Sequence, residues 1–416
     1  MSGCPFANLL DPDSYVDGMP YNELEKIRRQ GDVVRREEPI TGVPYWIVAG
    51  REQLDFVSKN PALFSSHERT AFPMEFPQET IEMQRMTIIN MDPPEHQKYR
   101  KLTRAAFTPK AVEAYEPIFK DHAKRIVDAV AALGKCEFVE EVAAELPLLA
   151  ILELLEVPAK DRKLFFDWTN TMIFADDPDM AETEEDAMMA AAMVVDYAMK
   201  VAAKHRTNPR NDGKKSVLAA LLDGEVDGKP MDDLQFGQMF ILILVGGNES
   251  TRTVISHGMR LLMENPDQLQ YLQENPDQIP AACEEMLRYN TAFIAMRRTA
   301  MQDIELGGQQ IKQGDKVLLH YHTVNHSEDV FGEDAMIFDV TRQQRMPDLY
   351  NQHRSFGIGQ HFCLGSHLAR LELRLMMQEI IPRMVNPAFD DEPQFVRSIF
   401  VNAIKEMNIT FTPEAT

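Results

Sequence analysis

No stretch of this chain stays apolar for long. The densest apolar run spans 239–247, far short of the roughly 20 residues that a membrane-crossing helix needs. The first residues, Met-Ser-Gly-Cys-Pro-Phe, carry no basic segment followed by an apolar one, so no secretory signal is expected. Cysteine is scarce. Cys4, Cys136, Cys283 and Cys363 are widely spaced and form neither a disulfide framework nor a Cys-x-x-Cys zinc pair. These features imply a reducing, cytoplasmic compartment. Basic residues are also in deficit: 43 Lys and Arg stand against 65 Asp and Glu, a formal net charge of −22. Phosphate binding needs clustered cations, so a nucleic-acid partner is not expected. Internal repeats and low-complexity linkers are missing as well.

What remains is ordinary globular material. Of 416 residues, 44% are hydrophobic, enough for a large core. Apolar residues three and four apart predict helices over 112–132, 139–155, 184–204, 232–263 and 363–380. Strand signals are few, at 45–48, 304–306, 316–319 and 408–411. Asn-Pro-Asp turns at 265–267 and 275–277 punctuate the helices, and the acidic stretch 176–186 reads as a solvated loop. Length alone suggests two or three domains. The pattern instead predicts a mainly α chain, with residues 1–416 forming one large helical domain that carries a small β-rich region.

The stretch Ser355-Phe-Gly-Ile-Gly-Gln-His-Phe-Cys-Leu-Gly-Ser-His367 concentrates the chemistry. Gly357, Gly359 and Gly365 open backbone conformations closed to other residues and allow close approach to a flat ligand. Cys363 is expected to begin a helix that Pro382 would stop, where free N–H groups stabilise a thiolate. A lone cysteine is ordinarily a buried structural side chain. A zinc site from His361, Cys363 and His367 is another reading, although the spacing matches no usual finger. The order Phe356, Gly359, Cys363, Gly365 changes the balance. Phe-x-x-Gly-x-x-x-Cys-x-Gly resembles the haem-binding signature of the bacterial soluble cytochromes P-450.

That resemblance implies a cytochrome P-450 fold and haem b with Cys363 as its iron ligand. A thiolate at the iron favours O–O cleavage. Upstream, Glu285-Met-Leu-Arg288 and Arg342, in Phe338-Asp-Val-Thr-Arg342, resemble the family's structural Glu-Arg-Arg triad. His96 and Arg100 share a helix face after Asp92-Pro-Pro, and with Arg298 and His361 they match contacts to the haem propionates. The run Phe240-Ile-Leu-Ile-Leu-Val-Gly-Gly-Asn-Glu-Ser-Thr251 holds two glycines in mid-helix, each costing about 1 kcal/mol relative to Ala. It resembles the family's oxygen-activating stretch. There Gly246 and Gly247 make room for dioxygen, Glu249 brings in protons and Ser250 stands where threonine is usual, followed by Thr251.

Phe72, Phe76, Met86, Ile173, Leu244, Val245, Ile294, Met296 and Phe400 are expected to border an apolar substrate pocket. Each is otherwise a simple core residue. The motifs Val-Gly-Gly-Asn…Thr-Arg and Ala-Met-Arg-Arg-Thr-Ala are similar to those of members acting on terpenes, steroid side chains or alkanes. The implied activity is hydroxylation of a hydrophobic small molecule, a terpenoid or steroid-like lipid, using dioxygen. No flavin or iron–sulfur motif is present, so electrons are expected from NAD(P)H through a ferredoxin reductase and a ferredoxin. Lys98, Arg100, Lys101, Arg104 and Lys110, a run without an acid, resemble the ferredoxin-docking face. Two other readings stay open: a non-catalytic haem-binding sensor or carrier, and a peroxide-driven peroxygenase.

Overall fold

The spine of the molecule is a helix of 32 residues, Asp233–Glu264, about 48 Å long. Asp232 starts it by accepting from the Gln235 amide at 2.8 Å, and it stops at Asn265, before Pro266. The computed structural model describes residues 8–38, 41–181, 183–209 and 216–415; Cys4 lies outside the described residues. The helices that matter below are α1 (Glu95–Arg104), α2 (Glu145–Leu154), α3 (Arg162–Ile173), α4 (Glu184–Thr207), α5 (Asp233–Glu264), α6 (Ile279–Tyr289) and α7 (Ser366–Arg383). Helix α5 packs against α2, α3, α4, α6 and α7, so its faces meet different parts of the site. The main apolar core draws largely on these helices, with Leu146, Phe236, Phe240 and Met376 fully buried.

The β-rich region is small. Strands β1 (Val33–Glu37), β2 (Pro44–Val48), β3 (Phe64–Ser65), β4 (Ala295–Ala300) and β5 (Lys316–His320) form one sheet in the order β1-β2-β5-β4-β3. β5 runs parallel to β2 and antiparallel to β4, with Lys316 opposite Tyr45 on one side and Thr299 on the other. A second, three-stranded sheet joins Lys135–Glu137, Asn408–Thr412 and Val385–Phe389. The expected mainly α architecture with a small β region is therefore the observed one.

Several expected elements need correction. The helix over 112–132 is two helices, Pro109–Glu113 and Glu116–Ala131, because Pro117 sits at the start of the second. The helix over 139–155 opens with a π-helical turn, Val139–Ala143, before α2. Cys363 does not begin a helix: α7 starts three residues later, and Pro382 lies inside its last turn, where the helix still runs on to Arg383. The segment 295–300, read only as part of a motif, is a buried sheet strand.

Candidate active site

Cys363 sits in a loop that the rest of the fold holds rigidly. The loop bends at Gly357 (φ 67°) and Gly359 (φ 77°), the left-handed region that favours glycine. At Gly359 a Cβ would also lie 2.6 Å from the Ser58 carbonyl oxygen. Gly365 is different: its backbone is ordinary (φ −87°), and a Cβ there would meet nothing within 4 Å. The Cys363 amide donates to the Phe356 carbonyl at 2.9 Å, which closes the loop on itself. Burial pushes the Cys363 thiol up, opposed by a hydrogen bond from the Gly365 amide and the charges of Arg100 and Arg370.

The predicted triad is brought together completely. Arg288 Nε and Nη2 donate to the two Glu285 carboxylate oxygens at 2.7 Å each, and Arg342 Nε lies 3.1 Å from both. All three side chains are fully buried, so their charges are tolerable only because they pair and saturate backbone carbonyls. Arg288 reaches the carbonyls of Asn325 and Ala335, and Arg342 those of Phe331, Asp334 and Ile337. Asn325 carries the support onward. It accepts from the Arg354 amide at 2.7 Å and donates to Ser355 Oγ at 3.0 Å, at the root of the cysteine loop.

Four groups able to carry positive charge converge beside this loop. The rings of His96 and His361 have centroids 4.3 Å apart, and Arg100 donates to the Phe362 carbonyl. Arg298, 5% exposed, donates from Nη1 to the Arg297 carbonyl at 2.6 Å. His96 is 1% exposed with neither ring nitrogen hydrogen-bonded. Burial and the charge of Arg100 hold it down to about 4, and burial with Arg298 keeps His361 well below the usual histidine range. Among the described residues no salt bridge joins any of the four to a carboxylate; Asp92, whose charge acts on His96 and Arg298, accepts instead from Ser65 Oγ and the Ser66 amide. Buried donors without a directly paired anion fit a ligand bringing one, and the two haem propionates have that chemistry.

On α5 the two glycines part company. A Cβ on Gly246 would meet nothing within 4 Å, whereas one on Gly247 would lie 2.7 Å from Ile151 of α2. Gly246 faces open space. Gly247 is a helix-packing glycine, which corrects its expected role in making room for dioxygen. Ser250, one turn on from Gly246, donates to its carbonyl at 2.9 Å and shares its face. Thr251 is buried on another face, toward the buried Glu372 of α7, whose two carboxyl oxygens have no hydrogen-bond partner among the described residues. Ser250, rather than Thr251, is the hydroxyl beside the open space.

Glu249 points elsewhere. It is buried against α3, where it accepts from Thr169 Oγ1 (3.2 Å) and Asn248 Nδ2 (2.8 Å) and pairs with Arg252. Arg252 in turn donates to Asn170 Oδ1 at 2.8 Å and lies over the rings of Phe166 and Phe174. Burial raises the Glu249 carboxyl above the usual range, against the lowering by Arg252 and Thr169. No hydrogen bond joins Glu249 to Ser250 among the described residues, so a proton passing between them needs the carboxylate to turn. Thr169 and Asn170 escaped the sequence reading, and Arg252 was read only as part of a motif, because nothing local marks a contact across some 80 positions.

Of the expected pocket residues, Phe72, Ile173, Met296 and Phe400 gather in one apolar cluster with Phe174, Met180 and Phe293. Phe72 meets Phe76 and Phe400 edge-on, at 6.1 and 5.2 Å between centroids. Met86 and Val245 are half-buried outside it. Leu244 and Ile294 group with two other sets of buried apolar side chains, Leu244 with the helical core and Ile294 with that of Leu9, Tyr15 and Val34, because neighbouring residues of a helix or strand face different ways. Leu242, spaced four and eight residues from Gly246 and Ser250, shares their face and was missed.

Fold and site together define a haem-thiolate monooxygenase. A model of the family described as Cytochrome P450 matches residues 151–406, and the chain belongs to that family. It is 38% identical to a steroid C26-monooxygenase from Rhodococcus jostii (strain RHA1), over 96% of this chain and 84% of that one. It is 32% identical to a linalool 8-monooxygenase from Pseudomonas putida, over 98% and 99%. The structure of a Mycobacterium marinum cytochrome P450 in complex with pseudoionone superposes with a TM-score of 0.88 at 31% identity, covering 99% of this chain and all of that one. The chain is therefore a catalytic P450 oxidoreductase related to terpene-, steroid- and lipid-hydroxylating members, and membership implies haem b with an axial cysteine thiolate. The sensor or carrier reading falls with this. Among the described residues no helix is long and apolar enough to cross a membrane.

Proposed function

We propose that residues 1–416 form one P450 domain that hydroxylates a C–H bond of a terpenoid or steroid-like lipid in the cytoplasm, with Cys363 as the iron ligand. The observation that carries the assignment is the convergence, beside the Cys363 loop, of His96, Arg100, Arg298 and His361 without a carboxylate partner. These four groups hold the haem propionates, while Gly357 and Gly359 shape the loop, Phe356 closes it through its carbonyl, and Gly365 and Gly246 leave the clearance a flat macrocycle needs. Bound haem supplies the activation of dioxygen.

The chain's own residues do the rest. One oxygen atom enters the substrate C–H bond and the other leaves as water, which takes two electrons and two protons. Ser250 holds a proton donor at the open face beside Gly246, and Glu249 replenishes it after turning from Arg252. The aromatic and methionine cluster around Phe72, Met296 and Phe400 excludes water and binds the apolar body of the substrate. Electrons come from NAD(P)H through a ferredoxin reductase and a ferredoxin that docks near Lys101, Arg104 and Lys110, all exposed. Lys98 contributes less, since Glu95 and Asp227 already pair with it.

Reduced-CO difference spectroscopy tests the ligation. The red-shifted thiolate Soret band is expected, and its absence from the protein, with its retention in Cys363→Ser, would each overturn the assignment. A type I spectral-shift screen across terpenes, steroids, alkanes and fatty acids tests the substrate class; a best response outside terpenes and steroids refutes it.

A further inference from the structure

Two consecutive acids of α6 serve different structures. Side chains one residue apart on a helix point about 100° away from each other. Glu285 therefore faces Arg288 and Arg342, while Glu284 faces α7 and takes Arg370 in a two-pronged pair, Nε to Oε1 at 2.7 Å and Nη2 to Oε2 at 3.0 Å. His353, 4% exposed, sits 3.0 Å from Glu284 Oε2 through Nε2, and its Nδ1 accepts from the Ser355 amide at 3.3 Å. Those two bonds define a neutral ring with its proton on Nε2. So held, the Arg370 guanidinium lies 4.5 Å from the centroid of the Phe356 ring. Phe356 is the residue whose carbonyl receives the Cys363 amide.

The chain His353–Glu284–Arg370–Phe356 thus ends on the backbone of the cysteine loop. It delivers a fixed cation to that loop, backed by a fixed anion. Arg370 is half-buried, lining a surface depression of about 300 Å³ with Glu113, Glu116 and Glu284, and its charge acts on Cys363. Nothing in the proton-handling face of α5 or in the substrate cluster uses these residues.

We propose that Arg370 is a positioning residue that fixes Phe356 and raises the reduction potential of the thiolate-ligated centre, and that Glu284 trims that potential downward. The proposal rests on the assignment of Cys363 as the ligand. Its sign follows from charge: reduction adds a negative charge to the centre, which a nearby cation favours and a nearby anion opposes.

Potentiometric titration of the purified holoenzyme reads this directly. Arg370→Gln lowers the potential, so that at fixed poise the ferrous-to-ferric ratio falls about threefold or more. Glu284→Gln moves it the other way. Arg370→Lys keeps the charge but loses the fork and the stacking, so its potential returns toward the parent while more of its reduced-CO complex shifts to the inactive, blue-shifted form. Equal potentials in all variants, or shifts of the same sign in Arg370→Gln and Glu284→Gln, would overturn the proposal, since a merely structural pair produces no opposite signs. The parent's reduced-CO spectrum separates the two failures: a parent without the thiolate band refutes the ligand assignment itself.

Discussion

Adjacent residues on α5 carry opposite duties, and substitutions there separate folding from chemistry. Gly247→Ala puts a methyl 2.7 Å from Ile151, an overpacking of about 1–3 kcal/mol that the better helix propensity of Ala only partly offsets. The variant is expected to lose about 1 kcal/mol in urea denaturation while keeping its product yield per NAD(P)H. Gly246→Ala has space for its methyl, so it keeps or gains stability and instead couples poorly, since the methyl occupies the open face beside Ser250. Equal stability losses in both would contradict this division. The hydroxyls divide likewise. Ser250→Ala is expected to divert reducing equivalents to hydrogen peroxide, with coupling down on the order of tenfold, because Ser250 shares the Gly246 face. Thr251→Ala removes a buried side chain between α5 and α7, away from the Gly246 face, and is expected to cost stability rather than coupling. If only Thr251→Ala releases peroxide, the assignment of the relay is off by one residue.

At the scale of elements, long periodic segments were legible and cross-element contacts were not. Helices over 184–204 and 232–263 were expected within three residues of α4 and α5, because their apolar stripes run for many turns between clear caps. Strand β4 was not read as a strand: Ala-Met-Arg-Arg-Thr-Ala is buried on both faces, so it shows no alternation. The cysteine loop and the Glu285 triad stood out as dense motifs. The Glu284–Arg370 pair did not, because it joins α6 to α7 across 86 positions. That pair has a thermodynamic signature. Burial would raise the Glu284 carboxyl, but the hydrogen bonds from His353 and Arg370 bring it down to about 2 from an ordinary 4.5. A carboxyl lowered in the folded state contributes stability above its unfolded value and loses it as pH falls from about 4.5 to about 2, on the order of 3 kcal/mol here. Denaturation free energies measured across that window are expected to fall by about one proton's slope less in Glu284→Gln than in the parent. Parallel curves would show that the carboxyl is not held low.

For the whole molecule, a net charge of −22 sets the terms on which the proposed electron donor, an acidic ferredoxin, would approach. General repulsion would slow that encounter, so the proposed docking depends on exposed cations that, among the described residues, no acid pairs with. On α1 these are Lys101 and Arg104, with Lys110 just beyond; Lys98 is bound to Glu95 and Asp227, and Arg100 is turned to the Phe362 carbonyl. Reversing the sign of the first two, Lys101→Glu with Arg104→Glu, is therefore expected to lower kcat/KM for a ferredoxin about tenfold at low salt, mostly through KM. Lys98→Glu should do less, because its charge is already answered. Raising ionic strength should shrink the gap between the double variant and the parent as the Debye length falls below about 10 Å. Steady-state kinetics against ferredoxin concentration, at several salt concentrations, reads all three. A double variant as fast as the parent would place the docking face elsewhere. A loss that persists when electrons come from a small chemical reductant would show that these side chains serve the fold and not the encounter.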